Sequence, residues 1–129
     1  MRVLLDTHAL LWALRKPERL SIRVREIVSE STNELFVSAA SQWEISTKVR
    51  LGKLPEFATL VTALPEHIAR LGASELAMSS RHALAAGSLD WDHADPFDRM
   101  LATQSILEGM FFVSNDAAFS RLVGVQLIW

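Results

Sequence analysis

Arg2-Val3-Leu4-Leu5-Asp6, close to the start of the chain, is a short apolar run that ends in a carboxylate. A continuous apolar run of this kind is typical of a strand that is buried on both faces of a parallel sheet. In such sheets ligands bind just beyond the carboxyl ends of the strands, which is where Asp6 is expected. Asp6 therefore either caps the helix that follows it or binds a positively charged group.

The remainder of the chain alternates apolar runs with helical patterns. Further strands are predicted at 35–37, 67–71, 110–113 and 125–128, and helices at 9–14, 22–30, 39–51, 56–64, 80–86, 96–108 and 117–122. This alternation indicates an α/β fold, a three-layer α/β/α sandwich with a mainly parallel sheet. The length of 129 residues predicts a single domain over residues 1–129.

Composition narrows the class of protein. The chain has no cysteine, which excludes disulfides and thiolate metal sites and agrees with a reducing cytoplasm. No apolar run approaches the roughly 20 residues of a membrane span, so we expect a soluble, cytoplasmic protein with no membrane partner. The formal net charge of −2 speaks against a nucleic-acid binder that relies on a basic surface. Cations held by the acids would make the site itself less negative.

Asp116 repeats the arrangement of Asp6, because it also follows an apolar strand within a few residues. Two parallel strands bring such residues to the same edge of a sheet. The alternative is that each aspartate is only a helix N-cap, a position that Asp favours. For either residue alone, the cap is the better interpretation.

Two further carboxylates lie on helical faces that look buried. Glu44 is flanked by Trp43 and Ile45, and the alternative for it is an exposed i, i+4 pair with Lys48, worth about 0.2–0.5 kcal/mol. A buried carboxylate needs a compensating charge, which a divalent cation would supply.

Asp98 shares a face with Leu101 and Ala102, and its alternative is a favourable interaction with the helix N-terminus. Asp95 is best explained as the N-cap of that helix, with a metal-binding role second. His93 is predicted to be a loop residue.

Together, Asp6, Glu44, Asp98 and Asp116 are too many acids for one sheet edge if all of them are caps. Hard oxygen ligands without cysteine select Mg²⁺ or Mn²⁺ over Zn²⁺. One or two such ions generate a nucleophile from water and stabilise the leaving oxygen in phosphodiester cleavage. Ser114 is an accessory candidate, since its hydroxyl can bond a carboxylate or a water.

With these residues assembled, the chain resembles a PIN domain, in particular the VapC-type ribonuclease toxins of bacterial toxin–antitoxin pairs. The resembling segments occur in the family's order and cover nearly the whole chain: LLDTHALLW (4–12), SAASQWEI (38–45) with Lys48, LGKL (51–54), HADPFDRML (93–101) and VSND (113–116). The resemblance implies a PIN-like fold and endonucleolytic cleavage of RNA that depends on Mg²⁺ or Mn²⁺. It also implies homodimerisation and inhibition by a cognate antitoxin.

Residue by residue, the resemblance gives Asp6, Glu44, Asp98 and Asp116 as the catalytic and metal-binding quartet, with Asp95 as an accessory. The family often has Thr where this chain has Ser114, and the hydroxyl is retained. Hydrolysis is expected to leave 3′-hydroxyl and 5′-phosphate ends.

Basic residues near the acids are candidates for substrate binding. Lys48 and Arg99 lie within one helical turn of Glu44 and Asp98, so we predict that they hold the substrate phosphate. The apolar segments 10–14 and 57–64 are explained first by core packing, and second by a groove for an antitoxin or a dimer surface.

Two other functions compete with the nuclease. One is a catalytically silent PIN-like module that binds RNA or protein, which the intact acids disfavour. The other is a phosphatase on a similar sheet, which is weaker because Asp6-Thr7-His8 lacks a second Asp two residues on.

Overall fold

The computed structural model describes residues 1–129 and contains a five-stranded sheet in which all neighbouring strands are parallel. The strands are Arg2–Leu5 (β1), Glu34–Ser38 (β2), Ala73–Leu76 (β3), Phe111–Val113 (β4) and Gln126–Ile128 (β5). Their order in the sheet is β3-β2-β1-β4-β5. The predicted α/β class with a parallel sheet is confirmed.

Seven α-helices connect and cover the strands. They are Thr7–Arg15 (α1), Ile22–Ser29 (α2), Ala39–Arg50 (α3), Ala58–Val61 (α4), Leu64–Arg70 (α5), Ser80–Ser88 (α6) and Pro96–Leu107 (α7). Short 3₁₀ helices occupy Pro17–Arg19, Pro55–Phe57 and Ala117–Arg121. No helix of the structure has the length and apolar character needed to cross a bilayer.

The side chains of β1 alternate between two apolar cores, one on each face of the sheet. Val3 and Leu5 pack with the buried residues of α1, α2, α4 and α5, whereas Leu4 packs with Phe112 and with residues of α7. Val3, Leu4 and Leu5 are all fully buried. A strand that is covered on both faces explains why this run of sequence is continuously apolar rather than alternating.

The prediction for 56–71 is wrong in two places. The single helix predicted over 56–64 is not formed, because α4 ends at Val61 and a new helix, α5, begins at Leu64. Pro65 lies in the first turn of α5, a position that proline tolerates because its missing N–H needs no partner there. Residues 67–71, predicted as a strand, belong mostly to that helix. The third strand is β3, which begins directly after Gly72, a residue with φ of +84°.

The sheet reverses its strand order beside β1. The chain builds β2 and β3 on one side of β1, and then crosses to the other side to form β4 and β5. In open α/β sheets the crevice beyond the carboxyl ends of the strands at such a switch point is the usual ligand site. Here that crevice lies between the ends of β1 and β4, which Asp6 and Asp116 follow.

Candidate active site

A cavity of about 350 Å³ opens beyond the carboxyl ends of β1 and β4. Its polar lining residues are Asp6, Thr7, His8, Glu44, Lys48, Asp95, Asp98, Asn115 and Asp116, and its apolar ones are Trp12 and Phe119. Five carboxylates from different elements therefore face one space, and they include all four that the sequence analysis selects. Their roles in catalysis or metal binding stay a prediction.

Asp6 is the most deeply buried of the cavity aspartates, with 7% of its surface exposed. Its Oδ1 accepts a hydrogen bond from the Ala9 amide at 2.7 Å, so it is the N-cap of α1. Burial raises the pKa of Asp6 to about 6, against the hydrogen bonds from Ser114 and Ala9 and the charge of His8, while Asp98 adds to the rise. The cap interpretation is correct, and the carboxylate still borders the cavity.

Asp116 is also an N-cap, of the 3₁₀ helix Ala117–Arg121, and its Oδ1 accepts from the Ala118 amide at 2.9 Å. Ser114, which is fully buried, accepts a hydrogen bond from the Asp116 amide at 3.1 Å. The Ser114 hydroxyl thus holds the turn after β4, and it also lowers the pKa of Asp6 after β1. The accessory role of Ser114 stays a prediction.

Glu44, on α3, is buried with 4% of its surface exposed. Its Oε2 pairs with Lys48 Nζ and its Oε1 accepts from Thr7 Oγ1 at 2.5 Å. The predicted i, i+4 pair is thus present, but it is not an exposed pair. The lysine already supplies the positive charge for which a divalent cation was inferred, so burial of Glu44 alone does not require a metal ion.

Asp98 is the third residue of α7, and about a quarter of its side chain is exposed. Its Oδ2 lies 2.7 Å from His93 Nε2. Burial raises the pKa of Asp98, the charges of Asp95 and Glu44 add to the rise, and the interaction with His93 opposes it. Asp95 caps α7, as predicted, by accepting from the amides of Phe97 and Asp98.

The two predicted substrate-binding residues are placed differently. Lys48 borders the cavity. Arg99 does not, because its guanidinium donates to four backbone carbonyls of the segment 86–93. Successive residues on a helix point about 100° apart, so Arg99 faces away from the side of α7 that presents Asp98. The prediction that Arg99 holds substrate phosphate is therefore wrong.

The apolar segments 10–14 and 57–64, for which core packing was the first explanation and a groove or dimer surface the second, belong mostly to the core. Leu10, Leu11, Phe57, Leu60 and Leu64 are all buried in the core on the α1 face of the sheet. Core packing, the first explanation of their apolar character, is correct for these residues.

Three features in or beside the cavity were not predicted from the sequence: the Thr7 bond to Glu44, the exposed His8 in the lining, and the His93 bond to Asp98. Thr7 and His8 directly follow Asp6, so their place in the first turn after β1 was a usable signal. His93 lies in a loop, where the sequence has no helical or strand periodicity from which the direction of a side chain could be predicted.

The donor chemistry of the cavity fits a hard divalent cation. Carboxylates from Asp6, Glu44, Asp98 and Asp116 line one space. The pKa values of Asp6 and Asp98 are raised because burial, and to a lesser extent the neighbouring negative charges, disfavour ionisation. As positioned, however, no three His, Asp or Glu side chains are close enough to hold one ion between them. Mg²⁺ needs only one or two carboxylates with the rest of its shell as water, so the residues present fit that ion.

Comparison with known proteins places the chain among nuclease-related sequences. The family model for the PIN domain matches residues 3–125. The chain is 40% identical over 58 residues to Ribonuclease VapC16 of Mycobacterium tuberculosis, a match that covers 45% of this chain and 41% of that relative. It is 27% identical over 117 residues to Ribonuclease VapC22 of the same organism, covering 88% of this chain and 86% of the relative.

Two solved structures share the fold over almost the full chain. One is VapBC2 from Rickettsia felis bound to a DNA fragment from its promoter, with a TM-score of 0.74 and 19% identity. The match covers 99% of this chain and 98% of the other chain. DNA-bound VapBC from Salmonella typhimurium has a TM-score of 0.72 at 17% identity, over 99% and 97%. At these identities the likeness establishes the fold.

Proposed function

The chain belongs to the PIN domain family, and from this we propose that it is a metal-dependent endoribonuclease toxin that hydrolyses RNA phosphodiester bonds and is inhibited by a cognate antitoxin. The observation that supports this most strongly is the acidic cavity at the switch point of the sheet. Its carboxylates come from the ends of β1 and β4 and from α3 and α7, so distant parts of the sequence build one site.

Mg²⁺ or Mn²⁺, bound by one or two of the carboxylates of Asp6, Asp98, Asp116 and Glu44 and otherwise by water, would lower the pKa of water and offset the charge on the leaving oxygen. The chain's own residues do the positioning. Thr7 and Lys48 each bond one oxygen of Glu44, which fixes the orientation of that carboxylate. Ser114 accepts a hydrogen bond from the Asp116 amide, which holds the turn that carries the Asp116 carboxylate.

Lys48 is the cation that we assign to the substrate. About 29% of its side chain is exposed at the cavity, while its ammonium contacts Glu44. An ammonium has three donors, so Lys48 can hold Glu44 and a phosphate oxygen at once. Trp12 and His8 at the same cavity have rings 5.8 Å apart, and single-stranded RNA bases stack on such rings.

The relatives support the proposed RNA substrate and the proposed antitoxin partner. Both curated relatives are ribonucleases, and both solved neighbours are VapBC assemblies, which favours an RNA substrate and an antitoxin partner. We also propose a homodimer, on the family resemblance, and action in the cytoplasm, where the RNA substrate is found. The silent-module alternative gains nothing from the structure, since every acid of the quartet lines the cavity.

The test is to express the chain with and without Asp6→Ala and to sequence the 5′ ends of cellular RNA. The parent should arrest growth and produce new ends that bear 5′-phosphate, and the variant should do neither. Equal cleavage by the two proteins would contradict the site, and no cleavage by the folded parent would contradict the function.

A further inference from the structure

Arg99 fixes the loop that precedes α7. Its Nε donates to the Ala86 carbonyl at 3.1 Å, and its terminal nitrogens donate to the carbonyls of Leu89 at 2.5 Å, Trp91 at 2.8 Å and His93 at 3.0 Å. One planar guanidinium therefore holds the loop backbone at three carbonyls and the end of α6 at a fourth. Because Arg99 is adjacent to Asp98 on the helix, the loop is tied to the same turn that presents the Asp98 carboxylate.

Aromatic packing fixes the His93 ring within this loop. The Trp91 ring stacks on it with centroids 4.5 Å apart and an interplanar angle of 22°. Phe119 contacts both rings from the buried side, where it packs edge-on against Phe112 of β4. The imidazole thus has little freedom to rotate, and its Nε2 lies 2.7 Å from Asp98 Oδ2.

This contact has a chemical consequence for Asp98. When the carboxylate is ionised, Nε2–H donates to Oδ2, which leaves Oδ1 free for another partner. The bond also counters the repulsion from Asp95 and Glu44. Carboxylates that ligate metals are commonly oriented by such outer hydrogen bonds, and loss of the outer partner typically weakens metal binding about 10–100-fold.

We propose that His93 is a positioning residue for Asp98. It holds one carboxylate oxygen so that the other faces the cavity, and the Arg99 clamp and the Trp91 stack set the place of the imidazole. The inference rests on the proposed function, in which Asp98 binds the divalent cation.

The first test is a calorimetric titration of the full chain with Mn²⁺. His93→Ala should weaken Mn²⁺ binding by about 10–100-fold. His93→Gln should recover part of that loss, because its amide N–H can donate to Asp98. In the Asp98→Asn background, His93→Ala should have no further effect on Mn²⁺ affinity.

His82, on α6, provides a matched control. His82 Nε2 lies 2.8 Å from Glu108 Oε1, at the opposite end of α7, and His82 does not border the cavity. Replacing His82 with Ala removes another histidine–carboxylate contact, so it should cost stability and leave Mn²⁺ affinity unchanged at a temperature where the variant is folded.

The clamp has its own test. Arg99→Lys keeps the charge but cannot bond four carbonyls, so it should weaken Mn²⁺ binding, and His93→Ala should add little in that background. Additive losses would overturn the role of the clamp. If the parent binds Mn²⁺ and cleaves RNA, and folded His93→Ala and His93→Gln both match it, then the positioning role is wrong and the nuclease proposal stands. If the folded parent neither binds Mn²⁺ nor cleaves RNA, both proposals fall.

Discussion

Replacing Asp6 with Asn should stabilise the fold at neutral pH in the absence of divalent cations. The pKa of Asp6 is raised from 3.8 to about 6. Between these two pH values, the Asp6 carboxyl is therefore protonated in the folded state and ionised in the unfolded state. The contribution of Asp6 to stability therefore falls as the pH rises from about 4 to about 6. At about 1.4 kcal/mol per pH unit, the loss amounts to about 3 kcal/mol above pH 6.

Asparagine escapes this loss because it carries no charge at any pH, and its amide oxygen can still accept from the Ala9 amide. Asp6→Asn should therefore be more stable than the parent at pH 8 by up to about 3 kcal/mol, and nearly equal to it at pH 4.

The measurement is urea unfolding of both proteins in EDTA at pH 4 and pH 8. Asp90→Asn, a neutral replacement at an exposed loop aspartate, is the control and should give no pH-dependent difference of this size. If Asp6→Asn shows the same stability relative to the parent at both pH values, or is less stable at pH 8, then the burial of a disfavoured charge at Asp6 is refuted.

Three further substitutions test single contacts. Thr7→Val removes the hydroxyl that donates to buried Glu44, so unfolding measurements should show a loss of about 1–3 kcal/mol, whereas the exposed Thr59→Val should be close to neutral. Thr103→Val deletes a buried hydroxyl that has no hydrogen-bond partner, so it should leave stability unchanged or raise it by about 1–3 kcal/mol; a clear loss would contradict this. Lys48→Gln should raise the KM for RNA by a larger factor than it lowers kcat, and it should also reduce the salt dependence of RNA binding. An unchanged KM would show that Lys48 does not bind the substrate.

The sequence predicts the elements that have strong local signals. The apolar run of β1 and the Asp95-Pro96 start of α7 both specify their elements through short-range chemistry, namely burial on two faces and N-terminal capping. The prediction for 67–71 was wrong because an apolar stretch after a proline has two interpretations. The proline can end one helix before a strand, or it can stand in the first turn of a new helix, as it does here.

The site was predictable where helical geometry decides direction. Lys48 lies one turn after Glu44, and this spacing places both side chains together, as found. Arg99 is one residue after Asp98, which turns it away from the cavity towards the loop carbonyls. His93 reaches Asp98 only because Arg99 and Trp91 shape an irregular loop, and no period in the sequence encodes that shape.

The most direct test of the account is a titration of the folded parent with Mn²⁺ or Mg²⁺, followed by the same titration of Asp6→Asn, Asp98→Asn and the control Asp90→Asn. We expect saturable binding by the parent and the control, with binding strongly weakened in both cavity variants. Binding that is equally tight in all four proteins, or absent from the parent, would contradict the claim that the carboxylates beyond β1 and β4 act together on a divalent cation.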